Sequence, residues 1–172
     1  TGLRHDAPRQ TEIGMGNAMS TFTAQNMGAG KIDRVKEGYR MCYVIVLTAG
    51  AVLCVMYQLA GGAFVSLFLD SGSSEAYSVG LSYVKFLSFF YSFIGLKAST
   101  DGLLRGAGDV TAFTVANLVN LAIRVSVTNL FAPIYGIQVA WMAVPLGWAA
   151  NYVISFGWYL TGKWKKVRVI KK

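Results

Sequence analysis

Residues 41–69 read MCYVIVLTAGAVLCVMYQLAGGAFVSLFL, 29 consecutive positions without an acidic or basic side chain. A helix rises about 1.5 Å per residue and about 20 residues cross the hydrocarbon core of a bilayer, so the stretch can span with tilt or an emergent end. A membrane strand would alternate apolar and polar side chains over about 10 residues, whereas this run is apolar on every side. The reading is a helix whose solvent is lipid.

The rest of the chain repeats the pattern. Residues 110–162 form a 53-residue interval whose only charged side chain is Arg124, too long for one helix. Ala132-Pro133-Ile134-Tyr135-Gly136 supplies the break, because proline lacks the amide a helix interior uses and glycine weakens a helix. Spans are expected at 110–131 and 137–161. Between the two long runs lies 76–104, aromatic and apolar but carrying Lys85, Lys97 and Asp101, read as one further span. Residues 14–27 make about half a span, preceded by a polar head (1–13) that includes Arg4, His5, Asp6, Arg9 and Glu12. The chain begins with Thr rather than Met, and its head lacks the apolar core of a signal peptide; the expectation is a fragment or an altered start. The fold class is therefore an all-α membrane protein, with four full transmembrane helices and a partial N-terminal one.

Composition agrees. Of 172 residues 54% are apolar and 14% charged, with a mean hydropathy of +0.46, against about 25% charged in soluble domains. The net charge of +8 has a topological meaning. Lys31, Arg34, Lys36 and Arg40 precede the first full span, Arg105 follows the second, and the tail 163–172 holds six more basic residues, all on one side. The positive-inside rule makes that side cytoplasmic, with the C-terminus, in a membrane expected to be a bacterial inner membrane. Nucleic-acid binding would need a soluble basic face interleaved with stacking aromatics, which is missing. A single histidine and two cysteines, Cys42 and Cys54, twelve apart in one helix, leave no material for a disulfide framework or a histidine-ligated metal. No cofactor is expected, and no nucleophile–base constellation suggests an enzyme.

Two glycine-rich stretches look superficially like phosphate loops. In the first, Gln25 stands where a Walker loop starts with glycine and Ile32 where it needs Ser or Thr; in the second, Thr111 replaces the third glycine of a dinucleotide fingerprint. They carry a different resemblance. Asn17 through Lys31 (NAMSTFTAQNMGAGK), with Gln25, Asn26, Gly28 and Gly30 in its loop, resembles the helix end and cytoplasmic loop of the multidrug and toxic compound extrusion (MATE) transporters. Leu103 through Asp109 (LLRGAGD), with Arg105, Gly106 and Gly108, is similar to the family's later loop. The two stand in the family's order, with two spans between them and two after. The resemblance covers residue 14 to the C-terminus and leaves the head outside.

The resemblance implies a two-lobed, twelve-helix exporter working by alternating access. The basic tail and Arg124 point to the second lobe, with 14–162 as the end of helix 8 and helices 9 to 12, and 163–172 as a cytoplasmic tail. Its implied partners are membrane lipid, a drug-like amphipathic or cationic substrate, a coupling cation (proton or sodium), and an N-terminal lobe outside this chain. The family's sodium-coupled branch uses acidic residues of helices 7 and 10, and the branch this chain resembles more uses one in helix 1. Helices 1 and 7 lie outside the chain. The helix 10 position, eleven residues before Arg105, is Ile94, so no ion ligand is carried over.

Ionisable side chains inside spans are the functional leads, since each costs about 2.5–3.5 kcal/mol at a helix centre. Lys97, Asp101 and Arg105 are spaced by four and form either a self-neutralising ladder or, through Asp101, a protonatable or cation-attracting carboxylate on the inner approach to a cavity. Lys85, about 120° around a continuous helix from Lys97, either snorkels outward or faces that cavity. Arg124 shares a helix face with Asn117 and Asn120, a polar stripe expected to face the bundle interior either as part of the substrate path or as interhelical glue. Pro145 beside Gly147 suggests a kink, Trp141 and Trp148 cavity lining or packing, and Trp158 and Trp164 interfacial anchors. The functional expectation is part of a cation-coupled multidrug antiporter. The alternatives are export of a lipid-linked or peptidic substrate, or a membrane interaction fragment that does not transport.

Overall fold

The computed structural model describes residues 7–69 and 75–166, with side chains from Gly14 onward. The described residues are helical apart from short connections: α1 (Ala7–Gly28), α2 (Ile32–Ser66), α3 (Glu75–Ser88), α4 (Tyr91–Gly106), α5 (Val110–Tyr135), α6 (Ile137–Leu160), and a 3-10 turn at Lys163–Lys166. Helix α1 thus starts within the polar head, and α2 starts nine residues before the uncharged run. The C-terminal residues 167–172, with Arg168, Lys171 and Lys172, and head residues 1–6 lie outside the described part.

Helices α2, α5 and α6 are each long and apolar enough to cross a membrane. The segment read as a single span over 76–104 is two helices, α3 and α4, bent by 54° at their break; counted together they make the fourth span. Neither proline nor glycine lies at the break, which is why the sequence pattern runs through it. The freed backbone is satisfied from α2: Gln58 Nε2 donates to the Lys85 carbonyl (3.0 Å) and to Ser88 Oγ (3.0 Å), and Ser88 Oγ donates to the same carbonyl (2.7 Å). In lipid an interrupted helix needs such partners.

The connection between α5 and α6 also departs from expectation. Helix α5 runs through Pro133 to Tyr135, and Gly136 alone makes the break, at φ 82° and ψ −174°, a conformation reserved for glycine. Proline's fixed φ is helical, so one lost amide bond near a helix end does not stop the last turn.

On α5 and α6 the buried faces are small and polar while the outer faces are large and apolar, the reverse of a soluble protein. On α5, Ala112, Ala116 and Asn120 are buried while Leu118, Leu121 and Val125 are exposed. On α6 the buried set is Ala143, Pro145, Gly147, Asn151 and Ser155. Helix α2 buries a narrow stripe through Val35, Tyr39, Cys42, Val46 and Gly50 and exposes Val44, Ile45, Val52 and Val55. Without a hydrophobic drive between helices, close approach of small side chains holds such a bundle together.

Helix α4 is central, packing on α1, α2 and α6, with a smaller contact to α5. Ser99 to Leu104 are buried without a gap. A Cβ added at Gly102 would collide with the Gly16 carbonyl of α1, and one at Gly106 with the Ser20 carbonyl. The two Gly-Ala-Gly loops that follow α1 and α4 are the same device. Lys31 N donates to Asn26 O (2.8 Å) and Asp109 N to Leu104 O (2.9 Å). Gly30 (φ 71°) and Gly108 (φ 83°) take the left-handed position of this helix-ending motif.

Candidate functional site

Around Asp101, three helices deliver polar side chains into the bundle. On α4, Lys97 Nζ lies 2.8 Å from Asp101 Oδ2, an i, i+4 ion pair with side-chain exposures of only 16% and 7%. From α5, Asn117 Oδ1 accepts from Lys97 Nζ (3.1 Å) and Asn117 Nδ2 donates to Asp101 Oδ2 (3.3 Å). From α6, Ser155 Oγ donates to Asp101 Oδ1 (2.8 Å) and lies 3.5 Å from Asn151 Oδ1. The carboxylate thus holds an ammonium, an amide and a hydroxyl. Asn151 is buried beside this group and Asn120 is buried against Gly147 of α6, and Asn151 Nδ2 and Asn120 Oδ1 have no hydrogen-bond partner.

The expected three-rung ladder has only its first rung. Arg105 turns away from Asp101: its guanidinium donates to Asn17 Oδ1 of α1 (2.7 Å) and lies 5.7 Å from the Phe113 ring centre. The last turn of α4 faces the loop end, where α1 and α5 offer nearer partners. The stripe Asn117, Asn120, Arg124 is likewise divided. The two amides face neighbouring helices, whereas Arg124 is exposed, its stem lying over Gly147 of α6. The long side chain passes the close contact at Gly147 and emerges. Lys85 sits on α3 with its stem against Gly61 of α2. The break removes the continuous helix on which its angle to Lys97 was drawn.

A second polar group joins α2 to α4 and α6. Thr100 Oγ1 is hydrogen-bonded to the hydroxyls of Tyr39 (2.7 Å) and Tyr43 (3.0 Å), and Tyr43 donates to Tyr152 (3.2 Å). Cys42 Sγ lies 3.1 Å from Ser99 Oγ. Sequence reasoning passed over these residues, and over Ser155, Asn151 and Gln58, because uncharged polar residues are ordinary in spans. Spacing of four between Asn151 and Ser155 was the available signal.

The tryptophans mostly serve the fold. Trp164, expected at the interface, is fully buried: the 3-10 turn folds it back onto Tyr159, ring centres 5.6 Å apart. Trp158 Nε1 donates to Asp109 Oδ2 (2.6 Å), while Asp109 Oδ1 accepts from Ala112 N and so caps α5. A small apolar cavity of about 120 Å³ opens between the α3–α4 break and α6, lined by Phe90, Phe93, Met142, Pro145, Leu146 and Ala149. Trp141 and Trp148 are not among its lining residues; Trp141 packs on Tyr83, ring centres 5.3 Å apart.

The MatE family's sequence pattern matches residues 11–144, which include both Gly-Ala-Gly loops and the α3–α4 break. The chain belongs to the MatE family of transporters. MatE relatives include the "Probable multidrug resistance protein YpnP" of Bacillus subtilis (strain 168), 28% identical over 155 residues, which are 90% of this chain and 34% of that protein. Another is the "Probable multidrug resistance protein YoeA" of the same organism, 23% identical over 162 residues, 92% of this chain and again 34% of the relative. This MatE chain therefore spans about a third of the length of the curated relatives it matches. No solved structure gives a significant match.

Proposed function

We propose that the chain is part of a multidrug exporter that moves amphipathic, often cationic, compounds out of the cytoplasm by alternating access, driven by a proton or sodium gradient. The observation that carries the reading is membership of a transporter family combined with a charged, amide-rich group buried where α4, α5 and α6 meet. Ionisable groups kept inside a membrane bundle mark substrate and ion routes in transporters. In this reading Asn117 and Asn120 line the inner wall of the route, Arg124 stands at its edge, and a second lobe outside the chain supplies the facing wall. The membrane is a bacterial inner membrane, with the Gly-Ala-Gly loops and the C-terminus in the cytoplasm. No covalent step is involved.

The test is dye efflux from proteoliposomes containing the protein in its full natural length. Efflux should require an imposed proton or sodium gradient; efflux that persists when both are collapsed overturns the coupling. Arg124→Ala should slow efflux severalfold at unchanged protein abundance, and wild-type efflux from that variant removes Arg124 from the route. The 172 residues alone should not move dye, having one wall of the cavity only.

A further inference from the structure

Lys97 occupies a place built from oxygen atoms. Its ammonium nitrogen lies 2.8 Å from Asp101 Oδ2 and 3.1 Å from Asn117 Oδ1. On the other oxygen of the carboxylate, Ser155 Oγ of α6 donates to Asp101 Oδ1 and lies 3.5 Å from Asn151 Oδ1. Carboxylate and amide oxygens, here meeting one ammonium from α4 and α5, are the donors that hard cations take. The group is also larger than one ion pair needs. Asn151, fully buried, reaches it through Oδ1 while its Nδ2 has no partner.

Charge decides what fills the place. Asp101 is the one acidic residue of the group and Lys97 the one base; Arg105 is turned to Asn17, α5 offers Asn117, α6 offers Ser155 and Asn151, and the α2 hydroxyls of Tyr39 and Tyr43 bond to Thr100. With the ammonium present the group is neutral, so a further cation would enter against an equal charge at short range. With the ammonium gone, the carboxylate keeps its amide and hydroxyl donors and lacks only a counter-charge.

We infer that Lys97 is a tethered cation filling a monovalent-cation seat, so that the natural protein needs no alkali ion there, and that removing the ammonium turns the seat into a sodium site. The inference goes beyond the export reading and is read by stability rather than by efflux, so either can fail alone.

The experiment compares thermal unfolding of the full natural-length protein in detergent, in sodium chloride and in choline chloride of equal ionic strength. Wild type and Lys97→Arg should unfold at the same temperature in both salts. Lys97→Met should gain about 5–10 °C in saturating sodium, and the added Asp101→Asn should abolish that gain. Should Lys97→Met be recovered from the membrane only when sodium is present throughout, the inference stands. Its loss in both salts while the double variant survives overturns it. So does a folded Lys97→Met that ignores sodium, which would mean that Asp101 takes a proton instead, or an Asp101-dependent sodium effect in wild type.

Discussion

The two ends of the bundle are built differently. At the end bearing the Gly-Ala-Gly loops, α4 is enclosed from Ser99 to Leu104, α1 lies against its glycines, and Trp164 closes the core with Val35, Tyr39, Leu103 and Leu104. At the other end α5 and α6 are joined by one residue, large side chains such as Leu130, Ile134 and Ile137 are exposed, and α3 touches α6 only slightly. The α3–α4 break divides the two regimes. Backbone contact through small residues makes the first end a rigid block, whereas side-chain hydrogen bonds across a broken span leave the second able to yield.

The largest effect that would break this contrast lies at Gly102. Gly102→Leu forces a side chain into the Gly16 carbonyl, which α1 cannot relieve without moving away; the expected loss is about 3 kcal/mol, the upper part of the overpacking range, since the obstacle is backbone. Unfolding in detergent should show it, with Gly14→Leu, where a Cβ meets nothing within 4 Å, close to wild type. Equal stability of the two variants would mean that the α1–α4 contact does not hold the block together. Next comes Asp109, which both caps α5 and binds Trp158. Asp109→Ala should cost about 2–3 kcal/mol and shift tryptophan emission to the red. Lys31, at the same position of the sister loop, makes no side-chain cap, so Lys31→Ala should be neutral. A neutral Asp109→Ala would show that the two loops carry the same load.

Much of the fold was legible in the charge pattern. Uncharged runs located α2, α5 and α6, because an exposed charge in lipid is costly and its absence over 20 or so residues has few other causes. The α3–α4 break was not legible, since the side chain that satisfies it, Gln58, lies some 30 residues away in sequence, and nothing local to Ser88 announces it. The site was legible in its charges and not in its partners. Lys97 and Asp101 were visible as an i, i+4 pair, whereas the choice between Asp101 and Asn17 for Arg105 depends on how α1 lies against α4, which no local spacing encodes. Trp164 misled for a related reason: a tryptophan after a span suits the interface, and only the turn at Gly162 (φ 67°) sends it inward.

At the yielding end the expected effects are smaller. Gly136→Ala must hold an alanine at φ 82°, at a cost of about 1–2 kcal/mol, visible as a lower unfolding temperature with α5 and α6 otherwise intact. Gln58→Leu sharpens the comparison most with the least energy. It removes two hydrogen bonds at the break, yet Ser88 Oγ still donates to the Lys85 carbonyl, so the global cost should stay near about 0.6 kcal/mol per bond. The local effect should exceed the global one. Amide exchange at Phe89 and Phe90 should accelerate while the amides of Leu103 and Leu104, in the rigid block, keep their protection. If both sets accelerate together, the two ends unfold as one unit and the break is not a boundary. If neither changes, Ser88 alone secures the break and the link from α2 contributes nothing.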